Sequence, residues 1–345
     1  MIDYIVVGAG LSGIAVTEEL IKRGKSVVVF DNNSQTSSTV AYGVYNPVIL
    51  KRFTLAWNAS EQLTRARSFY RSLQEKLRIT LLLELSIYRK FSSVEEQNNW
   101  FEAMDKPSLS PFLDPELVPQ INENIPSNFS FGHVKETGRV DTDLLVKAYR
   151  QHLAEMQILF EEDFNYEKLE LTDNGVRYGE INARKVIFCE GFGLRNNPYF
   201  NFLPLYGNKG EYIIIKAPEL KLGVAVKSSV FILPQGDDLY KIGATYDNED
   251  KTPAPTKEAR EKLVKQAGDL LTCNFEVVDQ VAGIRPATKD RKPLLGKHPK
   301  YNQLFCCNGF GSRGILIAPT MAKELIDHLE DNIPLNPETN FQRFL

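Results

Sequence analysis

Two glycine-rich stretches have the spacing to handle phosphate and a charged ring. The first reads Gly8-Ala9-Gly10-Leu11-Ser12-Gly13 and is closed by Asp31, eighteen residues past Gly13. Gly8 permits a tight turn, Gly10 lets backbone approach a pyrophosphate, and Gly13 lets the following helix lie close on a sheet. The helix N-terminus then offers free N–H groups and partial positive charge to phosphates. Asp31 can accept hydrogen bonds from both hydroxyls of a ribose. The second stretch is Asn308-Gly309-Phe310-Gly311-Ser312-Arg313-Gly314-Ile315, again a strand end opening a helix. Such a helix start stabilises negative charge on a bound ring system. Cys189-Glu190-Gly191-Phe192-Gly193 is another strand end where a ligand can rest on backbone. Val40 to Val48 is small-residue chain near the nucleotide site, readable as a ligand contact or as a plain surface loop.

Elements that would position these residues follow from periodicity. Tyr4–Val7 and Val27–Phe30 are short, β-branched runs, as in buried parallel strands. Between them Val16 and Leu20 sit one helical turn apart, Glu18–Lys22 and Glu19–Arg23 form outer i,i+4 pairs, and Gly24 stops the helix. Further helices are predicted from Leu55 to about Ile79, from Ser92 or Ser93 through Met104, from Asp141 or Thr142 to Leu153, from Lys257 to Leu271, and over the last stretch to Leu329. Strands are predicted at Glu84 to Phe91, Phe129 to Lys135, Ile158 to Phe160, Phe164 to Leu171, Val176 to Tyr178, Lys185 to Phe188 and Leu304 to Cys307. Asn174-Gly175 is a hairpin signal. Residues 105 to 127, rich in Pro and Asn, read as an irregular connection. Between 205 and 282 the pattern changes to Glu211 to Lys216, Gly223 to Lys227, Val230 to Pro234, Tyr240 to Tyr246 and Val277 to Ala282, most naturally an antiparallel sheet. The expected fold class is α/β: a Rossmann-like nucleotide domain over 1–44, 139–204 and 283–345, with an inserted α+β domain over 45–138 and 205–282.

Composition narrows the function classes. At 345 residues the chain is long enough for two domains. Hydrophobic content of 43% and charged content of 25% are those of a soluble globular protein. A net charge of −3 argues against broad attraction to nucleic acid or membrane while leaving room for a local basic patch. No apolar run spans a bilayer, and no cationic leader precedes the first strand, so a cytoplasmic protein is expected. Cys189, Cys273, Cys306 and Cys307 lack zinc or redox spacing, and the neighbours Cys306 and Cys307 should face opposite sides of a strand. No metal site is expected.

In order and in motif, nearly the whole chain resembles the D-amino-acid oxidase superfamily of FAD-dependent oxidoreductases, which includes glycine oxidase and sarcosine oxidase. The opening unit resembles that family's FAD site, Ser38 through Gly43 its second phosphate- and flavin-contacting loop, and Gly309 to Pro319 its final flavin loop. Lys209-Gly210, Gly243-Ala244-Thr245-Tyr246 and Arg285–Gly296 follow the family order. Gly43-Val44-Tyr45-Asn46-Pro47, Arg285-Pro286-Ala287-Thr288-Lys289-Asp290-Arg291 and Gly311-Ser312-Arg313-Gly314 look closer still to the FAD half of the bifunctional enzymes that modify tRNA wobble uridine to 5-methylaminomethyl-2-thiouridine. The chain departs from the family in having Asp31 where Glu is usual and in carrying Arg313 one place later than glycine oxidase's Arg-Asn-Gly. Sarcosine oxidases link flavin through a Cys near the position of Arg285; its absence here implies non-covalent FAD.

The resemblance implies hydride transfer from a C–H beside an amine to flavin N5, hydrolysis of the imine and reoxidation of the flavin. It assigns cofactor contact to Gly8, Gly10, Leu11, Ser12, Gly13, Asp31 and Asn32, then Ser38, Thr39, Gly43 and Val44. The backbone of Phe164 near adenine, Glu190, Gly191 and Arg285 follow, then Gly309, Gly311, Ser312, Arg313, Gly314 and Ile315. Arg285 is the first choice to hold a substrate carboxylate by two parallel hydrogen bonds; the plainer alternative is a brace to Asp290. Tyr246 closes the pocket or is an ordinary sheet aromatic, and Arg313 faces substrate or tRNA phosphate, or makes a structural ion pair. The expected partner is a small amine or amino acid with a carboxylate. Two other functions compete: demodification of carboxymethylaminomethyl-uridine in tRNA, with Lys51-Arg52, Arg65–Arg67 and Lys289–Lys292 as a basic rim, and flavin binding without turnover. Peroxide release from small amino acids separates the first from both.

Overall fold

The computed structural model describes residues 1–345. Ile2–Val7 lies between Val27–Phe30 and Ile181–Phe188, parallel to both. Leu159–Phe160 extends this sheet on one side and Leu304–Asn308 on the other, also in parallel. Val27–Phe30 and Leu304–Asn308 are buried along their whole length, because helices cover one face of the sheet and an aromatic layer the other. On the helical face Leu11–Lys22 and Gly314–Asp331 pack through Ile14, Leu20, Leu325 and Ile326. Each such fully buried aliphatic side chain contributes about 1.5–3 kcal/mol. On the other face the Phe164 ring stacks on Tyr178 at 4.4 Å, edge-on to Phe30 and Phe188. Cys306 belongs to the aromatic side and Cys307 to the helical side, as alternation along a strand requires. The Asn174-Gly175 hairpin joins Leu169–Thr172 to Gly175–Tyr178.

A second eight-stranded sheet stands over the C-terminal ends of the first. Its order is Glu276–Thr288, Leu205–Lys216, Leu239–Gly243, Phe231–Gly236, Ala225–Lys227, Ile87–Lys90, Phe131–Val134, Leu113–Val118. Every pairing is antiparallel except Ala225–Lys227 with Ile87–Lys90. Helix Lys257–Gly268 covers one face, burying Leu263 and Ala267 with Ile213, Ile215 and Ile242. The fold class expected from the sequence is the one observed: a Rossmann-like nucleotide domain joined to a domain built on a mainly antiparallel sheet.

Four local expectations change. Glu84 to Phe91 is not one strand: Leu82–Glu84 pairs with Gly138–Val140 in a small sheet, and Ile87–Lys90 pairs with Phe131–Val134 in the large one. Phe164 to Leu171 is not one strand: the Asn165 side chain accepts from the Glu167 N–H, opening a short 3₁₀ turn, and the strand begins only at Leu169. Residues 105 to 127 contain a strand, Leu113–Val118, despite Pro115. It is the sheet's edge, and its register shifts between Leu113 and Leu117, so the missing N–H costs no ladder bond. The strand expected at Val277 to Ala282 runs from Glu276 to Thr288 and continues through Pro286 because it forms the opposite edge. It crosses the expected boundary at 282/283, so Arg285 stands on the second sheet.

Candidate active site

A cavity of about 1820 Å³ opens between the two sheets, well above the roughly 300–1,000 Å³ of an ordinary small-ligand pocket. At one end lie Gly8, Gly10, Leu11 and Ser12, where the first strand turns into the first helix. Gly13 lies behind this wall. A Cβ there would sit 1.8 Å from the Gly8 carbonyl oxygen, so no other residue lets the helix start this close to the strand. Asp31 is held by three donors. The Ala9 N–H donates to Oδ2 at 2.5 Å, the Asn33 N–H to Oδ1 at 2.7 Å, and Arg150 pairs with Oδ1. Arg150 lies on helix Thr142–Glu155 and was not singled out in the sequence. Ser38 Oγ accepts from the Leu11 N–H at 3.3 Å, which brings the second loop onto the helix N-terminus. Thr39 is not in the cavity wall; its hydroxyl donates to the Thr36 carbonyl.

The remaining cofactor candidates line the same cavity in different ways. Asn32 is tied to Asp163, and Ser12 Oγ donates to the Cys307 carbonyl at 2.7 Å, bracing the first helix to the sheet. The side chain of Phe164 lies in the aromatic layer. Glu190 accepts from Tyr166 and from Asn197 Nδ2 at 2.7 Å; burial pushes its carboxyl up to about 7 despite both bonds. The Gly191 carbonyl accepts from Asn308 Nδ2 at 2.9 Å, joining two of the glycine junctions. Gly43 and Val44 lie against the Gly138–Val140 strand. At the final junction the Gly311 N–H donates to the Pro286 carbonyl at 2.8 Å. Gly314 and Ile315 start the last helix beside Leu11. The two glycine-rich helix starts therefore face one space.

At the other end Arg285 lies flat across the neighbouring strand. A Cβ on Gly210 would be 1.9 Å from its guanidinium nitrogen, so any larger residue there would displace the guanidinium from this position. Arg285 Nη1 donates to Asn208 Oδ1 at 2.7 Å and to the Thr245 carbonyl at 3.3 Å, and its Cζ is 4.6 Å from the Tyr246 ring. No carboxylate pairs with it; Asp290 pairs instead with Arg343 at 2.8 Å. Tyr246 is 72% exposed at the mouth, not packed in the sheet. Arg313 is partly buried, has no carboxylate partner, and donates through Nη1 to the Asn46 carbonyl at 3.0 Å. Burial lowers its proton affinity to about 10, partly offset by the Tyr246 phenol. Asn208, Gly210 and Tyr212 complete this end, with the buried Lys241 behind Tyr212; none was singled out as a site residue. Lys241 donates to the Val40 carbonyl at 2.6 Å beneath the Tyr212 ring, and burial lowers its amine to about 8. Lys209-Gly210 was visible only as a motif in family order.

A dinucleotide cradle that opens into a cationic pocket beneath an antiparallel sheet is the layout of a flavin-dependent oxidoreductase. The profile of the family described as FAD dependent oxidoreductase (DAO) matches residues 3–328, and the chain belongs to that family. It is 22% identical to a glycine oxidase of Pseudomonas aeruginosa over 96% of this chain and 95% of that one. It is 22% identical to the tRNA 5-methylaminomethyl-2-thiouridine biosynthesis bifunctional protein MnmC of Marinobacter nauticus, over 94% of this chain and 55% of that one. The crystal structure of glycine oxidase from Geobacillus kaustophilus superposes with a TM-score of 0.80 at 22% identity, covering 99% and 97% of the two chains. FAD fits the residues present: no Cβ at Gly8 or Gly10 intrudes at the first helix start, Asp31 lines the same end of the cavity, and the cavity continues to Arg285. No helix is long and apolar enough to cross a membrane.

Proposed function

We propose that this enzyme oxidises a C–N bond of a small amine or amino acid whose carboxylate is held by Arg285. The supporting observation is the setting of that guanidinium. It lines the cavity, is fixed by neutral oxygens and an aromatic face, and keeps its charge uncompensated. A carboxylate completes it through two parallel bonds. FAD, when bound, supplies the two-electron acceptor. Its attachment is non-covalent in this reading, since strand Glu276–Thr288 and the 309–313 loop carry no cysteine.

The chain's own residues do the rest. Asp31 and the first glycine turn hold the adenosine and pyrophosphate parts, and Gly314 and Ile315 direct backbone N–H groups toward the ring. Arg285 fixes the substrate carboxylate, so the adjacent C–H has one orientation. Asn208 holds the guanidinium in plane and acts as a positioning residue. The amine enters neutral, and no acid–base pair is required. Water then adds to the released imine and splits it into amine and carbonyl compound. A peroxide or dye-reduction screen of amino acids and N-substituted glycines tests the reading. Turnover is expected to fall about 10²- to 10³-fold in kcat/KM in Arg285→Met, the cost of leaving a buried charge unpaired. An unchanged KM in that variant would remove Arg285 from the site.

A second reading has its own observation. Lys51, Arg52, Lys227, Lys251, Lys289 and Arg291 line the mouth without carboxylate partners, and Tyr206 and Tyr246 stand exposed among them. Cations and free aromatic faces suit a nucleic-acid strand and a flipped-out base. On this reading the substrate amine is carried on a tRNA uridine. Loss of a carboxymethyl group from such a tRNA, with no peroxide from free amino acids, selects it.

A further inference from the structure

We infer that Arg313 is a second anion anchor, and that the preferred substrate carries two acidic arms, one on each side of its amine. The inference rests on the role proposed above for Arg285. Both guanidiniums line one cavity, and neither meets a carboxylate. They stand on bonded segments: Gly311, two residues before Arg313, donates to the carbonyl of Pro286, next to Arg285. Tyr246 lines the same cavity, its ring 4.6 Å from Arg285 Cζ. Asp290, the acid nearest in sequence to Arg285, is engaged elsewhere, with Arg343.

Two uncompensated, partly buried cations lining one cavity repel each other and have lost part of their hydration. A ligand with one carboxylate satisfies Arg285 and leaves Arg313 facing only the Asn46 carbonyl. A ligand with two carboxylates satisfies both. Its amine then lies between two fixed ends, with a C–H bond on either arm held at a set position. The oxidation balances as for any such amine. The C–H carbon and nitrogen lose two electrons and two protons to FAD, the imine adds water, and one arm leaves as a 2-oxo acid.

The test compares ligands that differ by one arm, on purified FAD-loaded protein. Thiodiacetate and (methylthio)acetate replace the amine by sulfur and are bound without turnover. Shifts of the flavin absorbance band and of the melting temperature report their affinity. Thiodiacetate is expected to bind at least about tenfold more tightly, a ratio that falls to near one in Arg313→Met and returns in part in Arg313→Lys. Iminodiacetate is expected to exceed sarcosine by a similar factor in kcat/KM. Equal affinities in the wild-type protein overturn the inference. So does an Arg313→Met variant that keeps the ratio but shifts the flavin band before any ligand is added, which would place Arg313 on the cofactor. A failure of the oxidase reading looks different: the diacid still binds more tightly, but neither amine is oxidised. If both amines are oxidised with equal efficiency, the oxidase reading stands and the two-arm inference falls.

Discussion

The two ends of the cavity are made of different materials. The Asp31 end is largely main chain: a turn, a helix start and a strand end drawn from residues 8 to 38, with Glu190 and Gly191 alongside. The Arg285 end is side chain, and its central contact joins Asn208 to Arg285 across 77 residues. Backbone geometry cannot be altered one atom at a time, so the first end tolerates little change. A side-chain pocket on a rigid sheet can change its charge pattern while the sheet stands.

The largest effect should come from the main-chain end. Gly13→Val places atoms where the Gly8 carbonyl already lies, and the helix must move off the strand. A loss of about 3 kcal/mol or more is expected, together with protein that purifies colourless and stays so when incubated with FAD. Flavin retained by this variant would show that the close approach is unnecessary. Arg285→Met is next. It should leave flavin bound and the melting temperature near that of the parent, while kcat/KM falls as stated above. Loss of flavin in that variant would erase the division between the two ends.

Glu190 is the exception at the main-chain end, a carboxyl side chain in the cavity wall. Its proton leaves near 4.5 in an unfolded chain and at about 7 in the folded protein. Between those values the folded state therefore binds the extra proton. Stability from this group is intact below about pH 4.5 and is lost as pH rises, by about 3 kcal/mol above pH 7. Glu190→Gln should flatten that slope, seen as a smaller drop in melting temperature from pH 5 to pH 8. An unchanged slope would mean that the charge is relieved in solution by a partner other than Tyr166 and Asn197.

The same contrast explains what could be read from residues alone. The Gly8–Asp31 unit is contiguous, so each part announces its neighbour, and Cys306 and Cys307 followed from alternation along a strand. Arg150 gave no such sign: it reaches Asp31 from a helix 119 residues away, and its own surroundings look like any amphipathic surface. Asn208 was equally silent, because its meaning lies in the register Asn208 opposite Arg285, a fact about pairing rather than spacing. Pro115 and Pro286 misled in one direction, since a strand at a sheet edge can hold a proline that a central strand cannot.

Asn208 also offers the smallest and sharpest test of the side-chain end. Its amide oxygen holds Arg285 at 2.7 Å without cancelling its charge, while its Nδ2 is held by Asn248 Oδ1 at 2.7 Å. Asn208→Asp is nearly the same shape but supplies a carboxylate where Arg285 otherwise meets none. Arg285 then has an internal partner, and a substrate carboxylate must compete with it. KM should rise about tenfold, or about 1.4 kcal/mol, with kcat changed much less, because the bound complex keeps its geometry. A merely structural asparagine would move kcat and melting temperature together and leave that split absent. If the split appears, the substrate end works by withholding negative charge from its own arginine, a property that no single residue type in the chain displays.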